Sequence, residues 1–120
     1  VVALRRELDE TQTIPVVPAK ALEAKELIDA QFDRELSVGG LASALFISPD
    51  YLRQLFKSAF DDSPMQYLIR RRIQVAQDLL RTTDLPINEV ARRVGIDNPY
   101  YFSRLFKKVV GQTPSQWRGR

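Results

Sequence analysis

The sequence contains no cysteine and no histidine among its 120 residues. Without cysteine it can form no disulfide and no thiolate metal site, and without histidine it lacks the commonest zinc ligand and the usual general base. Only carboxylates, lysine, tyrosine and serine remain for any chemistry. We therefore expect no enzymatic activity, no bound metal ion and no cofactor.

Long apolar runs are absent as well. No stretch approaches the roughly 20 apolar residues of a membrane-spanning helix, and residues 1–10 lack the charged start and apolar centre of a signal peptide. We expect no contact with a membrane, and the lack of cysteine fits a reducing cytoplasm. The chain starts with Val1 rather than methionine, which favours a fragment of a longer polypeptide, although a processed start gives the same pattern.

Charge is distributed unevenly, although the net charge is only +3. Residues 1–48 hold five basic and eight acidic side chains, a net charge of −3, whereas residues 49–120 hold thirteen and seven, a net charge of +6. Such a bias is common in proteins that bind polyanions, but a mildly basic surface also aids solubility. The charge alone leaves nucleic-acid binding open.

Proline and apolar spacing together predict the helices. Pro15 and Pro18 disfavour helix in the residues before them, so residues 1–18 are predicted to be a linker or the remnant of an upstream domain, with a short helix within residues 1–12. The first helix of the folded domain starts near Ala19, and its inward stripe is expected to comprise Ala21, Leu22, Ala24, Leu27, Ile28 and Phe32. Further helices are predicted over about 37–45, 48–60, 63–82, 87–94, 98–110 and from 113 through Trp117.

An internal repeat relates the third of these helices to the sixth, at an offset of 50 residues. Earlier in each copy Ala42 falls on Ala91 and Leu45 on Val94, an offset of 49, so the second copy has one extra residue in its turn. The matched pairs at offset 50 include Pro49 with Pro99, Tyr51 with Tyr101, Leu55 with Leu105, Phe56 with Phe106, Lys57 with Lys107, Pro64 with Pro114, and Tyr67 with Trp117.

Each copy has the order of a helix-turn-helix unit, followed by a capped helix start. We therefore predict an all-α fold of about seven helices. The folded domain spans residues 19–120, in which a first helix-turn-helix unit (19–63) and a second (83–120) are joined by a shared helix (64–82). That helix would be roughly 27 to 30 Å long, close to the roughly 34 Å of one turn of B-DNA.

The second helix of each unit has an apolar side and a polar side. The residues expected to face inward are Leu52, Leu55, Phe56 and Phe60 in the first copy, and Phe102, Leu105, Phe106 and Val109 in the second. The residues expected to face outward are Asp50, Arg53, Gln54 and Lys57, and Tyr100, Ser103, Arg104, Lys107 and Lys108. Such side chains can contact base edges or phosphates in a major groove, although each face alone could also be only solvated. Two copies at matched positions favour binding to double-stranded DNA.

The second copy resembles the signature of the AraC/XylS transcription regulators. The residues that carry the resemblance are the run Val90-Ala91-Arg92-Arg93-Val94-Gly95-Ile96, the run Tyr101-Phe102-Ser103-Arg104-Leu105-Phe106-Lys107-Lys108, and Gly111, Thr113-Pro114 and Trp117-Arg118. The resemblance extends over roughly residues 19–120. The family has a glycine after the third helix where this chain has Asp61, and commonly a tyrosine where it has Trp117.

The resemblance implies a bacterial transcription regulator, more often an activator, whose two recognition helices enter successive major grooves. The family's base-reading positions correspond to Asp50, Arg53 and Gln54 and to Tyr100, Ser103 and Arg104. RNA polymerase is then an expected partner, and effector binding and dimerisation would belong to a missing N-terminal domain. In this setting Arg70, Arg71 and Arg72 could touch phosphate, although at least one is expected to pair with a carboxylate of the protein.

An alternative is a helical protein-interaction module whose basic face binds an acidic partner. Such a module would need an exposed apolar groove. The sequence indicates none, because nearly every large apolar residue has an inward position in one of the two units.

Overall fold

The computed structural model describes residues 17–119. The prediction of a short helix within residues 1–12, and most of the predicted linker, lie outside this range. The seven helices of the described chain are α1 (Ala19–Gln31), α2 (Val38–Ala44), α3 (Pro49–Phe60), α4 (Pro64–Thr82), α5 (Ile87–Arg93), α6 (Pro99–Val110) and α7 (Pro114–Arg118). They confirm the predicted all-α fold. None of these helices is long and apolar enough to cross a membrane.

Side-chain caps begin the helices that build the two copies. The hydroxyl groups of Ser37, Ser48 and Ser63 accept hydrogen bonds from backbone N–H groups three residues further on, which otherwise have no partner in the first turn. Thr113 does the same at α7, where Gln116 returns a bond to the Thr113 N–H. Serine or threonine followed by proline is thus sufficient to locate three of these starts.

The backbone repeats as the sequence does. In the turn of the first unit the Ile47 N–H donates to the Ala42 carbonyl at 3.0 Å, and in the second the Ile96 N–H donates to the Ala91 carbonyl at 2.9 Å. Both turns contain one residue with positive φ, and α3 and α6 also end in left-handed residues. The two units therefore share one local fold, which confirms the predicted duplication.

Two hydrophobic cores lie along the molecule, one in each unit. The buried residues of the first core are Ala24, Ile28, Leu41, Ala42, Leu45, Leu52, Phe56 and Leu68. The buried residues of the second are Ile73, Ala76, Leu80, Val90, Ala91, Val94, Ile96, Phe102 and Phe106. The small residues Ala42 and Ala91 are fully buried, as expected where two helices of a helix-turn-helix approach closely.

Helix α4 belongs to both cores. Its N-terminal half contributes Leu68 to the first core, and its C-terminal half contributes Ile73, Ala76 and Leu80 to the second. The aromatic ring of Phe32, just after α1, packs against both clusters. The two units are therefore joined by one continuous helix and by a shared aromatic side chain.

Two residues expected to face inward are exposed. Leu22 is 44% exposed because the buried stripe of α1 runs through Ala21, Ala24 and Ile28, one step around the helix. Val109 is 42% exposed because Val110, which follows Phe106 at the same four-residue spacing that joins Phe102 to Phe106, packs on the core instead. The prediction that nearly all large apolar residues point inward is wrong at these positions.

Phe46 occupies the positive-φ position in the turn of the first unit. Its φ is 61° and its side chain is 91% exposed, whereas the corresponding residue of the second unit is Gly95, with a φ of 90°. A residue with a Cβ pays roughly 1–2 kcal/mol to adopt the left-handed conformation, and glycine does not. The Phe46 side chain contributes little burial to offset this cost.

We predict that Phe46→Gly raises the free energy of unfolding by about 0.5–1 kcal/mol, because the relief of backbone strain exceeds the greater entropy of glycine in the unfolded chain. Chemical denaturation monitored by circular dichroism measures the change. Phe46→Ala, which keeps the Cβ but removes the ring, should stay within about 0.5 kcal/mol of the parent. Equal stabilisation by both substitutions would contradict the explanation.

Candidate nucleic-acid interface

The outer face of α3 presents all four side chains predicted from the sequence. Asp50, Arg53, Gln54 and Lys57 are exposed, on the opposite side from the buried Leu52 and Phe56. Three of the four take part in internal ion pairs. Arg53 Nη1 donates to Asp50 Oδ1 at 2.9 Å, and Lys57 Nζ lies 3.0 Å from Asp61 Oδ1. The cations of α3 are therefore already partly neutralised.

The outer face of α6 is more basic. Tyr100 is 78% exposed, and Arg104, Lys107 and Lys108 are exposed, whereas Ser103 is half-buried. Helix α6 contains no acidic residue, and within residues 17–119 Arg104, Lys107 and Lys108 form no ion pair. The position that corresponds to Asp61 is Gly111, so Lys107 has no equivalent of the carboxylate beside Lys57.

Helix α6 is positioned at its start by Asn98. The Asn98 side-chain oxygen accepts hydrogen bonds from the N–H groups of Tyr100 at 2.9 Å and Tyr101 at 3.1 Å. The insertion of Asp97, which has no counterpart in the first turn, comes directly before this cap. Asn98 therefore performs for α6 the capping role that Ser48 performs for α3.

At its other end α6 rests on α7, which is anchored to the shared helix. The ring centroids of Phe106 and Trp117 are 6.5 Å apart, and Trp117 Nε1 donates to the Gln77 carbonyl of α4 at 3.2 Å. The guanidinium of Arg81 lies 4.7 Å from the centre of the Trp117 ring. The buried side of α6 is thus connected through α7 to α4.

A groove of about 640 Å³ lies between α4 and α6. Ile69, Leu105 and Val109 provide its apolar lining, and the remaining lining residues are Gln66, Arg70, Tyr101, Arg104 and Lys108. The apolar spacing of the sequence predicts no such groove, because it assigns Val109 to the core. The offset of 50 from Phe60 to Val110 was the signal that could have corrected this assignment. The groove brings two predicted site residues, Arg104 and Lys108, next to Arg70.

The three consecutive arginines of α4 have internal partners. Arg70 donates to the carboxylate of Asp62, and Arg71 Nε lies 3.7 Å from Asp29 Oδ1. Arg72 donates to two backbone carbonyls, and burial lowers its pKa. The expectation that at least one of them pairs with a carboxylate is confirmed.

Arg92 and Arg93 of α5 are also paired. Both guanidinium groups donate to Glu89, at 2.5 Å from Arg92 Nη2 and 3.1 Å from Arg93 Nε. Their hydrogen bonds lower the pKa of the Glu89 carboxyl, which therefore stays ionised. Among the basic clusters described, the charge of α6 is the least compensated.

Comparison with known families identifies this arrangement. The family described as a helix-turn-helix domain matches residues 41–120, two thirds of the chain, including both α3 and α6. The Escherichia coli arabinose operon regulatory protein is 39% identical over 92 residues, which cover 77% of this chain. The chain belongs to the AraC-type helix-turn-helix family. It spans only 30% of the length of that relative.

Other relatives carry the same AraC-type domain. The AdaA protein of Bacillus subtilis, called a bifunctional transcriptional activator and DNA repair enzyme, is 36% identical over 93 residues, covering 78% of this chain and 44% of its own. The C-terminal domain of AraT, a response regulator from Geobacillus stearothermophilus, has a TM-score of 0.84 and 35% identity, with 87% of both chains covered.

The DNA-binding domain of AdpA, solved with a target DNA, has a TM-score of 0.79 and 28% identity, and the match covers 84% of this chain and 91% of AdpA. The AraC-type chain described here is thus a DNA-binding domain of a transcription regulator.

The cap of α6 yields a test of how this helix is held. We predict that Asn98→Ala lowers the free energy of unfolding by about 1 kcal/mol, because two N–H groups lose their acceptor. Thermal or chemical denaturation measures the loss. Asn88→Ala is the matched control, because Asn88 is exposed in α5 and its side chain forms no hydrogen bond within residues 17–119. An equal loss in both variants would show that the cap is not responsible.

Proposed function

We propose that this domain reads DNA with two helices, α3 and α6, which enter successive major grooves on one face of a duplex. The observation that carries the proposal is the matched exposure of polar side chains on two helices whose opposite sides are buried in separate cores. The major groove of B-DNA is wide enough to admit a helix, and its base edges offer distinct donors and acceptors.

The proposed contacts divide by chemistry. Arg53, Gln54, Ser103 and Arg104 can donate to base edges, and Asp50 can accept from cytosine while it orients Arg53. Tyr100 offers a ring and a hydroxyl group at the start of α6. The lysines Lys57, Lys107 and Lys108 supply phosphate contacts, which add affinity without sequence preference.

The regulatory role goes beyond this domain. We propose that the chain is the C-terminal part of a longer, ligand-responsive protein in the bacterial cytoplasm, where effector binding and dimerisation reside in another domain. We propose that it acts as an activator, through contact with RNA polymerase, and performs no chemistry itself. Support comes from the similarity to AdaA, which is named an activator, and from the 30% share of the arabinose operon regulatory protein that this chain spans.

The groove between α4 and α6 gives some weight to the alternative, a module that binds an acidic protein. Only three of its eight lining residues are aliphatic, however, and its cations Arg104 and Lys108 belong to the proposed DNA surface. Selection of bound duplexes from a random pool decides between the two. Enriched sequences with two half-sites about one helical turn apart support the DNA-reading proposal, and no enrichment contradicts it.

Base reading by α6 is tested at Arg104. We predict that Arg104→Ala weakens binding to the selected duplex by roughly 1 to 3 kcal/mol, because a guanidinium can donate two parallel bonds to guanine. Titration at fixed salt measures the loss, and circular dichroism confirms the fold. Arg104→Lys should keep most of the affinity for random DNA but lose sequence preference. If both variants retain the parent's preference, Arg104 reads no base.

The contact of Lys57 with phosphate is tested by removing the charge of its partner Asp61. We predict that Asp61→Asn strengthens DNA binding, because Lys57 becomes free to displace one more counterion. The slope of log affinity against log salt concentration should then become more negative by up to about one. Asparagine tolerates the left-handed backbone that Asp61 adopts. In a Lys57→Met background the same substitution should have a smaller effect. Equal effects in both backgrounds would show that Lys57 touches no phosphate.

A further inference from the structure

The last turn of α1 is held by three side chains of α4. The Tyr67 hydroxyl donates to Asp29 Oδ1 at 2.5 Å, and the Arg71 guanidinium lies 5.7 Å from the centre of the Phe32 ring. Arg72 reaches further, to the backbone beyond the helix end. These contacts attach the end of α1 to the middle of the shared helix, at the boundary between the two cores.

Arg72 makes the most specific of these contacts. Its Nε donates to the Phe32 carbonyl at 2.7 Å and its Nη2 to the Arg34 carbonyl at 2.8 Å. Carbonyls at the end of a helix lack partners within it, and a planar guanidinium can satisfy two at once. The Arg72 side chain is half-buried, and both bonds are directed at the protein backbone.

The second unit reaches the same point through Gly95, in the turn between α5 and α6. A Cβ at Gly95 would lie 3.0 Å from the Asp33 carbonyl oxygen and 3.2 Å from Arg72 Cζ. The φ of Gly95, 90°, already favours glycine, whereas the φ of 61° at Phe46, the corresponding position of the first unit, lies in the left-handed region that a residue with a Cβ can adopt. The surroundings also differ, because Phe46 is 91% exposed and Gly95 is not. A side chain at Gly95 would therefore strain the backbone and also press on Asp33 and Arg72.

Residues 32–34, Arg72 and Gly95 together form what we call the inter-unit junction. It joins the chain just after α1, in the first unit, to the turn between α5 and α6 in the second. We propose that Arg72 is a positioning residue that sets the orientation of the second reading helix relative to the first, and thereby the half-site spacing that the protein accepts. This inference rests on the proposed reading of DNA by both α3 and α6.

The test compares duplexes that differ only in half-site spacing. One carries both selected half-sites at the selected spacing, a second has five base pairs inserted between them, and two more carry one half-site each. An insertion of about half a helical turn places the half-sites on opposite faces. For the parent chain we expect binding at the selected spacing to be at least about tenfold tighter than to the inserted duplex, because the second contact is then intramolecular.

Arg72→Met keeps the apolar stem and removes both donors. We expect its preference for the selected spacing to fall to within about threefold, while its affinity for each single half-site stays within about twofold of the parent. Arg34→Met is the matched control: it removes the same charge at the junction, from an exposed side chain, and leaves the Arg34 carbonyl in place. It should retain the parent's spacing preference.

A merely destabilising substitution lowers affinity for all four duplexes alike and leaves the ratio unchanged. An unchanged ratio in folded Arg72→Met overturns the proposal. If that variant does not fold, Arg72→Lys is used instead, because an ammonium group cannot bind both carbonyls as the planar guanidinium does. An unchanged ratio of affinities for the selected and inserted duplexes in Arg72→Lys also overturns the proposal. If the parent binds neither half-site, the proposed function fails instead. If it binds each half-site without preferring a spacing, DNA reading stands and the junction proposal is wrong.

Discussion

The packing of one helix into two cores is the constraint on which the rest of the molecule depends. Helix α4 places Leu68 in the first core and Ile73, Ala76 and Leu80 in the second, so neither unit can complete its interior without it. Side chains on one helix have fixed angular relations. Both units therefore inherit their orientation from a single rigid element, and the junction at Arg72 adds a second attachment between them.

The two units share a backbone but have diverged on their surfaces. The turn hydrogen bonds, the caps and the left-handed helix ends recur in both copies. The residues at these shared positions differ: Phe46 is open to solvent where Gly95 is half-buried, and Asp61 pairs with Lys57, whereas Lys107, beside Gly111, has no ion pair within residues 17–119. The two copies thus keep one backbone arrangement and differ in what surrounds the shared positions.

The sequence was sufficient for the fold because its signals are local. Each predicted helix begins at a cap or proline that acts within one turn, and the repeat located α3 and α6 independently of any packing. It was insufficient where three-dimensional packing decides. Leu22 and Val109 have helical spacing that allows either face, and the approach of Gly95 to Asp33 joins residues distant in the chain.

The unequal charge of α3 and α6 has a kinetic consequence. Long-range attraction between a protein and a polyanion depends on charge that no neighbouring carboxylate cancels, and it raises the rate of encounter. That charge is concentrated at Arg104, Lys107 and Lys108. We expect the second unit to contact the duplex first, and the first unit then to reach the adjacent groove with Arg53 and its partner Asp50. On this proposal, recognition is a sequence of two events, of which the earlier responds to ionic strength and the later to the identity of the bases.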